Sequence, residues 1–216
     1  MRFRFMLALL LPFSAMAEEK EINLFNGKDL SGWTKADGKP VTTGWKVEEG
    51  LLHRASAGGD LLSDKEYGDF ELTWEWKIAE AGNSGIKYRV QTYPGKGVLG
   101  FEYQMLDDAK HPDGKNGAIH QTGALYEFYP PAADKKLNPP GQWNTSKIIL
   151  HGFHVEHWLN GSKVVDGDLS GDTYKAALAK SKFKDIANFG AAPKGRILLQ
   201  DHGAEVWFKT IVLKPL

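Results

Sequence analysis

Cysteine is absent from the 216-residue chain. That excludes disulfide staples, thiolate metal sites and a lipid anchor carried on a cysteine. Neither sign of charge is in excess, since Lys+Arg and Asp+Glu both number 27. The balance argues against a nucleic-acid or membrane-surface partner. No apolar run is long enough to cross a bilayer, which takes about 20 residues. The seven histidines include no His-Glu-x-x-His spacing. There is no Gly-x-Ser-x-Gly elbow, no phosphate loop and no dinucleotide fingerprint.

What is plentiful is aromatic: seven Trp and seven Tyr. Such side chains fill sandwich cores and also stack on the apolar faces of sugar rings. The chain opens Met1-Arg2-Phe3-Arg4, then runs apolar from Phe5 to Phe13, then reads Ser14-Ala15-Met16-Ala17. A basic start, a short apolar stretch and an Ala-x-Ala site are the pattern of a secretory signal peptide. We therefore expect residues 1–17 to be removed after Ala17, leaving 18–216 as one domain in the periplasm or outside the cell. No membrane anchor is expected on the mature form.

Period-2 alternation dominates that domain. Phe70, Leu72, Trp74, Trp76 and Ile78 fall on one face of a strand, while Glu71, Thr73, Glu75 and Lys77 fall on the other. Gly82-Asn83-Ser84-Gly85 reads as a turn and Ile86–Val90 as the returning strand. Asn160-Gly161 between alternating runs predicts a tight hairpin. Asp172 to Ile186 is the one helical candidate, with Asp172 as its N-cap. Between Asp107 and Gly141 the periodicity fails, except for one expected strand near Thr122–Tyr126. A dozen short strands and one short helix predict an all-β fold, a β-sandwich of jelly-roll type.

The stretch Phe101-Glu102-Tyr103-Gln104-Met105-Leu106 puts Phe101, Tyr103 and Met105 on a core face. Glu102, Gln104 and Leu106 share the other, which suits either a sugar-binding groove or a solvated surface. Arg89 ends the preceding strand, His120 lies in the long loop, and Gln200-Asp201-His202 closes a late strand. Neighbouring strands would gather these groups in one concavity. Glu102 opposite Arg89 would equally make an ordinary cross-strand ion pair. Asp107, Asp108, His111 and Asp113 offer oxygen and nitrogen donors for a divalent metal ion, or simply an Asp- and Pro-rich turn. A retaining glycosidase needs two carboxyl groups about 5 Å apart. Here the strand carries one acid, Glu102, and an amide, Gln104, so ordinary two-carboxylate chemistry is poorly supported.

Several of these stretches occur together in a known family. They are Leu24–Trp33, Gly82–Arg89, Glu102–Asp107, His120–Tyr126, Gly141–Asn144, His157–Gly161 and Leu199–Gly203. In their order the chain resembles the 3-keto-disaccharide hydrolase family. The resemblance implies a concanavalin A-like jelly roll, an exported protein and a carbohydrate substrate already oxidised to a ketone at carbon 3. It implies cleavage by elimination and rehydration, a net hydrolysis. Glu102 or His120 would supply base and acid, and Arg89 or a divalent metal, for which Asp107 and His111 are candidates, would hold the enolate. Asn83, Gln104, Tyr126, Gln200, Asp201 and His202 would contact the sugar. The alternative is a non-catalytic carbohydrate-binding module on the same fold.

Overall fold

The computed structural model describes residues 20–216, so the expected signal peptide lies outside the described residues. Strands in chain order are β1 (Ile22–Asn23), β2 (Trp33–Thr34), β3 (Trp45–Glu48), β4 (Leu51–Arg54) and β5 (Leu61–Tyr67). They continue with β6 (Phe70–Ile78), β7 (Asn83–Tyr93), β8 (Gly97–Leu106), β9 (Asn144–His151) and β10 (His154–Leu159). Last come β11 (Ser162–Asp168), helix α1 (Asp172–Leu178), β12 (Gly195–Leu199) and β13 (Val206–Pro215).

They form two sheets. The larger runs β11-β10-β9-β6-β13-β4-β3, with β1 also on β13, and the smaller runs β2-β5-β12-β7-β8. The two pack face to face as a jelly-roll-like sandwich with one short helix, as the alternation predicts. Strand β6 lies centrally in the larger sheet, and Phe70, Leu72, Trp74 and Trp76 on its inner face are fully buried. Each such side chain contributes at most about 1.5–3 kcal/mol on burial. From the smaller sheet, Tyr103 meets Trp74 edge to face at 4.8 Å. Its hydroxyl accepts from Ser146 Oγ at 2.9 Å, and Ser146 in turn accepts from Trp76 Nε1 at 2.9 Å. A polar thread thus runs between the sheets without leaving a polar atom there unpaired.

Asn160 and Gly161 both take positive φ, 47° and 82°, which closes the β10–β11 hairpin as expected. Four local expectations are corrected. The turn before β7 consists of Ala79–Gly82, closed by the Gly82 N–H to the Ala79 carbonyl, and Asn83 already begins the strand. Helix α1 stops at Leu178, because Ser181 turns its side chain back onto the Leu178 carbonyl and the Phe183 N–H. Phe183 then stacks on Phe128 and Phe189 instead of continuing a helical face. Asp172 is the first helical residue, and Gly171 is the cap. Near Thr122–Tyr126 there is no full strand; Leu125 makes isolated bridges to Tyr103 and Tyr129.

The segment after β8 folds back over the outer face of the smaller sheet. Glu102, Gln104 and Leu106 point away from the core and are nonetheless buried. The polar face of β8 is therefore the floor of a covered site.

Candidate active site

Strand register builds the floor. Gly85 pairs with Gln104, and Lys87 pairs with Glu102, across β7 and β8. On one side Leu198 of β12 stands opposite Lys87, and the Gln200 N–H donates to the Gly85 carbonyl. On the other side residues 123–126 extend the sheet. Gly123 N–H donates to the Gln104 carbonyl, Gln104 N–H to Ala124, and Tyr126 N–H to Glu102. Ile86, Tyr88, Phe101 and Tyr103 belong to the core, so the alternate residues share the outer face. One row reads Leu198, Lys87, Glu102, Tyr126, and the next reads Gln200, Gly85, Gln104, Ala124.

Glycine at 85 is required by close approach. A Cβ there would lie 2.8 Å from Glu102 Oε1. With no side chain, the floor between Gln200 and Gln104 is bare backbone and Glu102 leans across it.

The polar groups are tied together. Glu102 Oε2 lies 3.5 Å from Lys87 Nζ, with both side chains largely buried. Gln104 Nε2 donates to the His120 carbonyl at 3.3 Å and reaches Asp113 Oδ2 at 3.5 Å. The Tyr126 hydroxyl donates to the same Asp113 oxygen at 3.0 Å. Burial first, then the charges of Asp113 and Glu102, push the Tyr126 phenol well above its usual range, so it stays protonated. The His120 ring lies 4.9 Å from that of Tyr126, with Nε2 3.5 Å from Glu127 Oε1. Lys182 Nζ sits over the Tyr126 ring at 4.3 Å.

Among the described residues, three buried side-chain amide oxygens have no partner: Asn83 Oδ1, Gln104 Oε1 and Gln200 Oε1. A buried acceptor left unpaired costs about 1–3 kcal/mol. Asn83 on β7, Gln104 on β8 and Gln200 just past β12 thus offer free acceptor oxygens to hydroxyl donors.

The structure therefore brings together Glu102, Gln104, Asn83, Gln200, His120 and Tyr126. The His202 ring lies 6.1 Å from that of His111. Arg89 does not join them. The β7–β8 register slips between Tyr88 and Gln91, and Arg89 has a φ of 48°. That bulge reverses the side-chain alternation. The guanidinium then donates to the Gly152 carbonyl, lies 3.9 Å from Asp69 and sits under the Phe153 ring. Lys87 takes the place across from Glu102.

Asp201 is also corrected. Its carboxylate accepts from Arg54 Nε at 2.6 Å and from the Gly58 and Gly59 N–H groups at 2.8 Å each. Burial alone would raise this carboxyl, but the two amides and Arg54 outweigh it and hold it below the usual range. Asp201 anchors the end of β12, and with it Gln200.

The Asp107 and His111 metal pair is corrected too. Asp107 accepts the backbone N–H groups of Ala81, Ala109 and Lys110, and His111 Nδ1 accepts that of Asp113. Among the described residues the potential cation-holding group is instead His154, Glu156 and Asp166, whose donor atoms lie within 4.8 Å of one another. Oxygen and imidazole donors suit a divalent metal ion. Lys163 already pairs with both carboxylates there. This group lies on the β10–β11 hairpin of the larger sheet, whereas Glu102 is on the smaller one.

Lys87, Asp113, Glu127 and Lys182 are the residues that sequence reasoning did not place at the site. Lys87 has the same strand parity as Arg89 in an unbulged strand, so only the slip separates them.

Residues 20–214 match the model of the 3-keto-alpha-glucoside-1,2-lyase-like domain. A 3-keto-disaccharide hydrolase of Bacteroides thetaiotaomicron is 32% identical, over 90% of this chain and 78% of its own. Among solved structures, a protein of Parabacteroides distasonis provisionally assigned as a glycosyl hydrolase is 34% identical. The match covers 91% of this chain and 94% of that one, with a TM-score of 0.81. A carbohydrate-binding module of Bacillus subtilis shares the fold alone, at 14% identity and a TM-score of 0.52 over 85% of this chain and 95% of that one. With nearly all of its described length matched, the chain belongs to the 3-keto-alpha-glucoside-1,2-lyase-like domain family, among the carbohydrate-active hydrolases and lyases.

Proposed function

We propose that this protein cleaves glycosides carrying a ketone at C3, by removing the C2 proton and eliminating the aglycone. The observation that carries the reading is Glu102. It is the carboxylate on the sheet floor, leaning over Gly85 and faced by an ammonium, with an amide next along its own strand. Of the other nearby carboxylates, Asp113 accepts from Tyr126 and is reached by Gln104 and Asn116, and Glu127 faces His120.

A C3 ketone acidifies the C2 proton because the resulting carbanion delocalises into the carbonyl as an enolate. Glu102 takes that proton. The Lys87 ammonium, beside Glu102, donates to the enolate oxygen, while the Tyr126 hydroxyl, donating to Asp113, holds that carboxylate in place. The enolate collapses, the C1–O bond breaks, and His120 protonates the departing oxygen. Water then adds to C1 of the unsaturated ketone and a proton returns to C2, giving net hydrolysis. Gln104, Gln200 and Asn83 accept from sugar hydroxyls through their unpaired oxygens. A positioned base is worth about 10²–10⁴-fold. The sequence from Met1 to Ala17 supports action in the periplasm or outside the cell.

The test is a pair of glycosides differing only at C3. The keto form should release aglycone and the hydroxyl form should stay nearly intact. Equal release from both would return the protein to ordinary glycosidase chemistry.

A further inference from the structure

We propose that the cavity between α1 and the segment around Ile119 and Glu127 receives the aglycone, and that it selects an apolar one. This rests on the reaction above, because it identifies the cavity with the leaving-group side of that site. The cavity has a volume of about 490 Å³ and is bounded by Ile119, Phe128, Ala176 and Ala177, with Glu127 and Lys180 among its polar neighbours. Its size is within the range of ligand sites, about 300–1,000 Å³.

Position links it to the chemistry. Ile119 immediately precedes His120 in the chain. Glu127 lines the cavity and is the carboxylate facing His120 Nε2, at 3.5 Å. Tyr126, beside Glu102 on the floor, is covered by Lys182, which follows the last cavity-lining residue, Ser181, by one. The group assigned to protonate the leaving oxygen is thus at the cavity's edge.

The chemistry of the two sides differs. The floor under the oxidised sugar has three unpaired acceptors, Asn83, Gln104 and Gln200. The polar side chains of the cavity that stay uncommitted are the Thr173 hydroxyl and the Lys180 ammonium, both on solvent-exposed residues. The Ser181 hydroxyl is committed to the Leu178 carbonyl and the Phe183 N–H, and Glu127 faces His120. A second sugar ring would exchange its water contacts for alanine, isoleucine and phenylalanine, which is unfavourable for unpaired hydroxyls. A hydrocarbon ring would gain by the same exchange. The short helix makes the room, since Ala176 and Ala177 end as methyl groups.

The experiment compares 3-keto-glucosides of methanol and cyclohexylmethanol, together with a 3-keto-disaccharide. The two alcohols are poor leaving groups of similar kind, so the difference reads binding of the ring. Each buried CH₂ is worth about 0.8 kcal/mol. The cyclohexylmethyl substrate should therefore show kcat/KM at least about tenfold above methyl, a factor worth about 1.4 kcal/mol. The disaccharide should not exceed methyl. Ala176→Trp should fill the cavity and bring the cyclohexylmethyl-to-methyl ratio close to one, a comparison internal to one protein sample. Equal rates in the wild type, or an A176W variant that keeps the ratio, would overturn the assignment.

If no 3-keto-glucoside is turned over, the proposed reaction fails and the cavity is judged by binding. Cyclohexylmethanol should then shift the NMR methyl signals of Ile119, Ala176 and Ala177. Unmoved signals would reject the cavity as an apolar site.

Discussion

Lys87 and Glu102 face each other across neighbouring strands, Nζ 3.5 Å from Oε2, with side-chain exposures of 15% and 7%. The cation beside the central carboxylate is therefore a lysine two residues before the arginine that the strand pattern favours. Opposite charges this far from solvent hold one another in place. Removing either leaves the other buried and uncompensated.

Glu102→Gln keeps the volume and an acceptor oxygen but cannot exchange a proton near neutral pH. It should lower kcat at least about 10²-fold while sugar binding changes much less. Steady-state kinetics with a 3-keto-glucoside, alongside titration of binding, checks this. Full activity in the variant would remove Glu102 from the role of base. Equal sugar binding with no turnover in the wild type would favour a non-catalytic module.

Lys87→Met should lower both stability and rate. The unpaired carboxylate should cost about 2 kcal/mol or more, since breaking a well-buried pair costs about 3–5 kcal/mol and this one keeps some solvent. Lys87→Arg retains the charge and should recover most of the stability. Thermal melts of the two variants decide the first point, and kcat the second.

Arg89→Met should unfold earlier without losing turnover. The guanidinium holds the Gly152 carbonyl and lies under Phe153, in contact with the β9–β10 hairpin rather than the Glu102 floor. A charged hydrogen bond of this kind is worth about 1.5–3 kcal/mol. In a chain of this size that lowers Tm by about 3–12 °C. A normal melting point with a collapsed kcat would place Arg89 back in the reaction.

Acid stability should depend on His157. Its ring is fully buried, facing the Gly123 carbonyl at 3.0 Å and the Tyr88 hydroxyl at 3.1 Å, and burial lowers its pKa to about 4. The unfolded chain takes up that proton below about 6.5, and the folded one resists until about 4. The contribution is therefore complete above pH 6.5 and declines as the pH falls toward 4, by about 3 kcal/mol in all. Urea unfolding across that range should flatten in His157→Gln. An unchanged slope would mean that the imidazole is protonated in the fold.

Some of this organisation is legible in the sequence. Phe70 to Ile78 alternates without a break because β6 is central, with every second residue against the opposite sheet. Phe101, Tyr103 and Met105 are core, and Glu102 and Gln104 oppose them, for the same reason. The bulge at Arg89 is not legible, since one slipped residue reverses the parity of everything beyond it. The burial of Glu102 and Gln104 is hidden as well. It comes from aperiodic residues 107–129 folding over β8, and no local pattern encodes that return. Asp201 misleads because its partners, Arg54, Gly58 and Gly59, lie far back in the chain. A short polar run of Gln, Asp and His looks the same whether it faces a ligand or anchors a strand.

The central claim is that a proton leaves C2. Cleavage of a 3-keto-glucoside in heavy water, with NMR of the released sugar and an enzyme-free control, tests it most directly. Elimination and rehydration predict solvent deuterium at C2 of each product molecule, above the control. Cleavage with the original hydrogen still on C2 would contradict the account and point to direct displacement at C1.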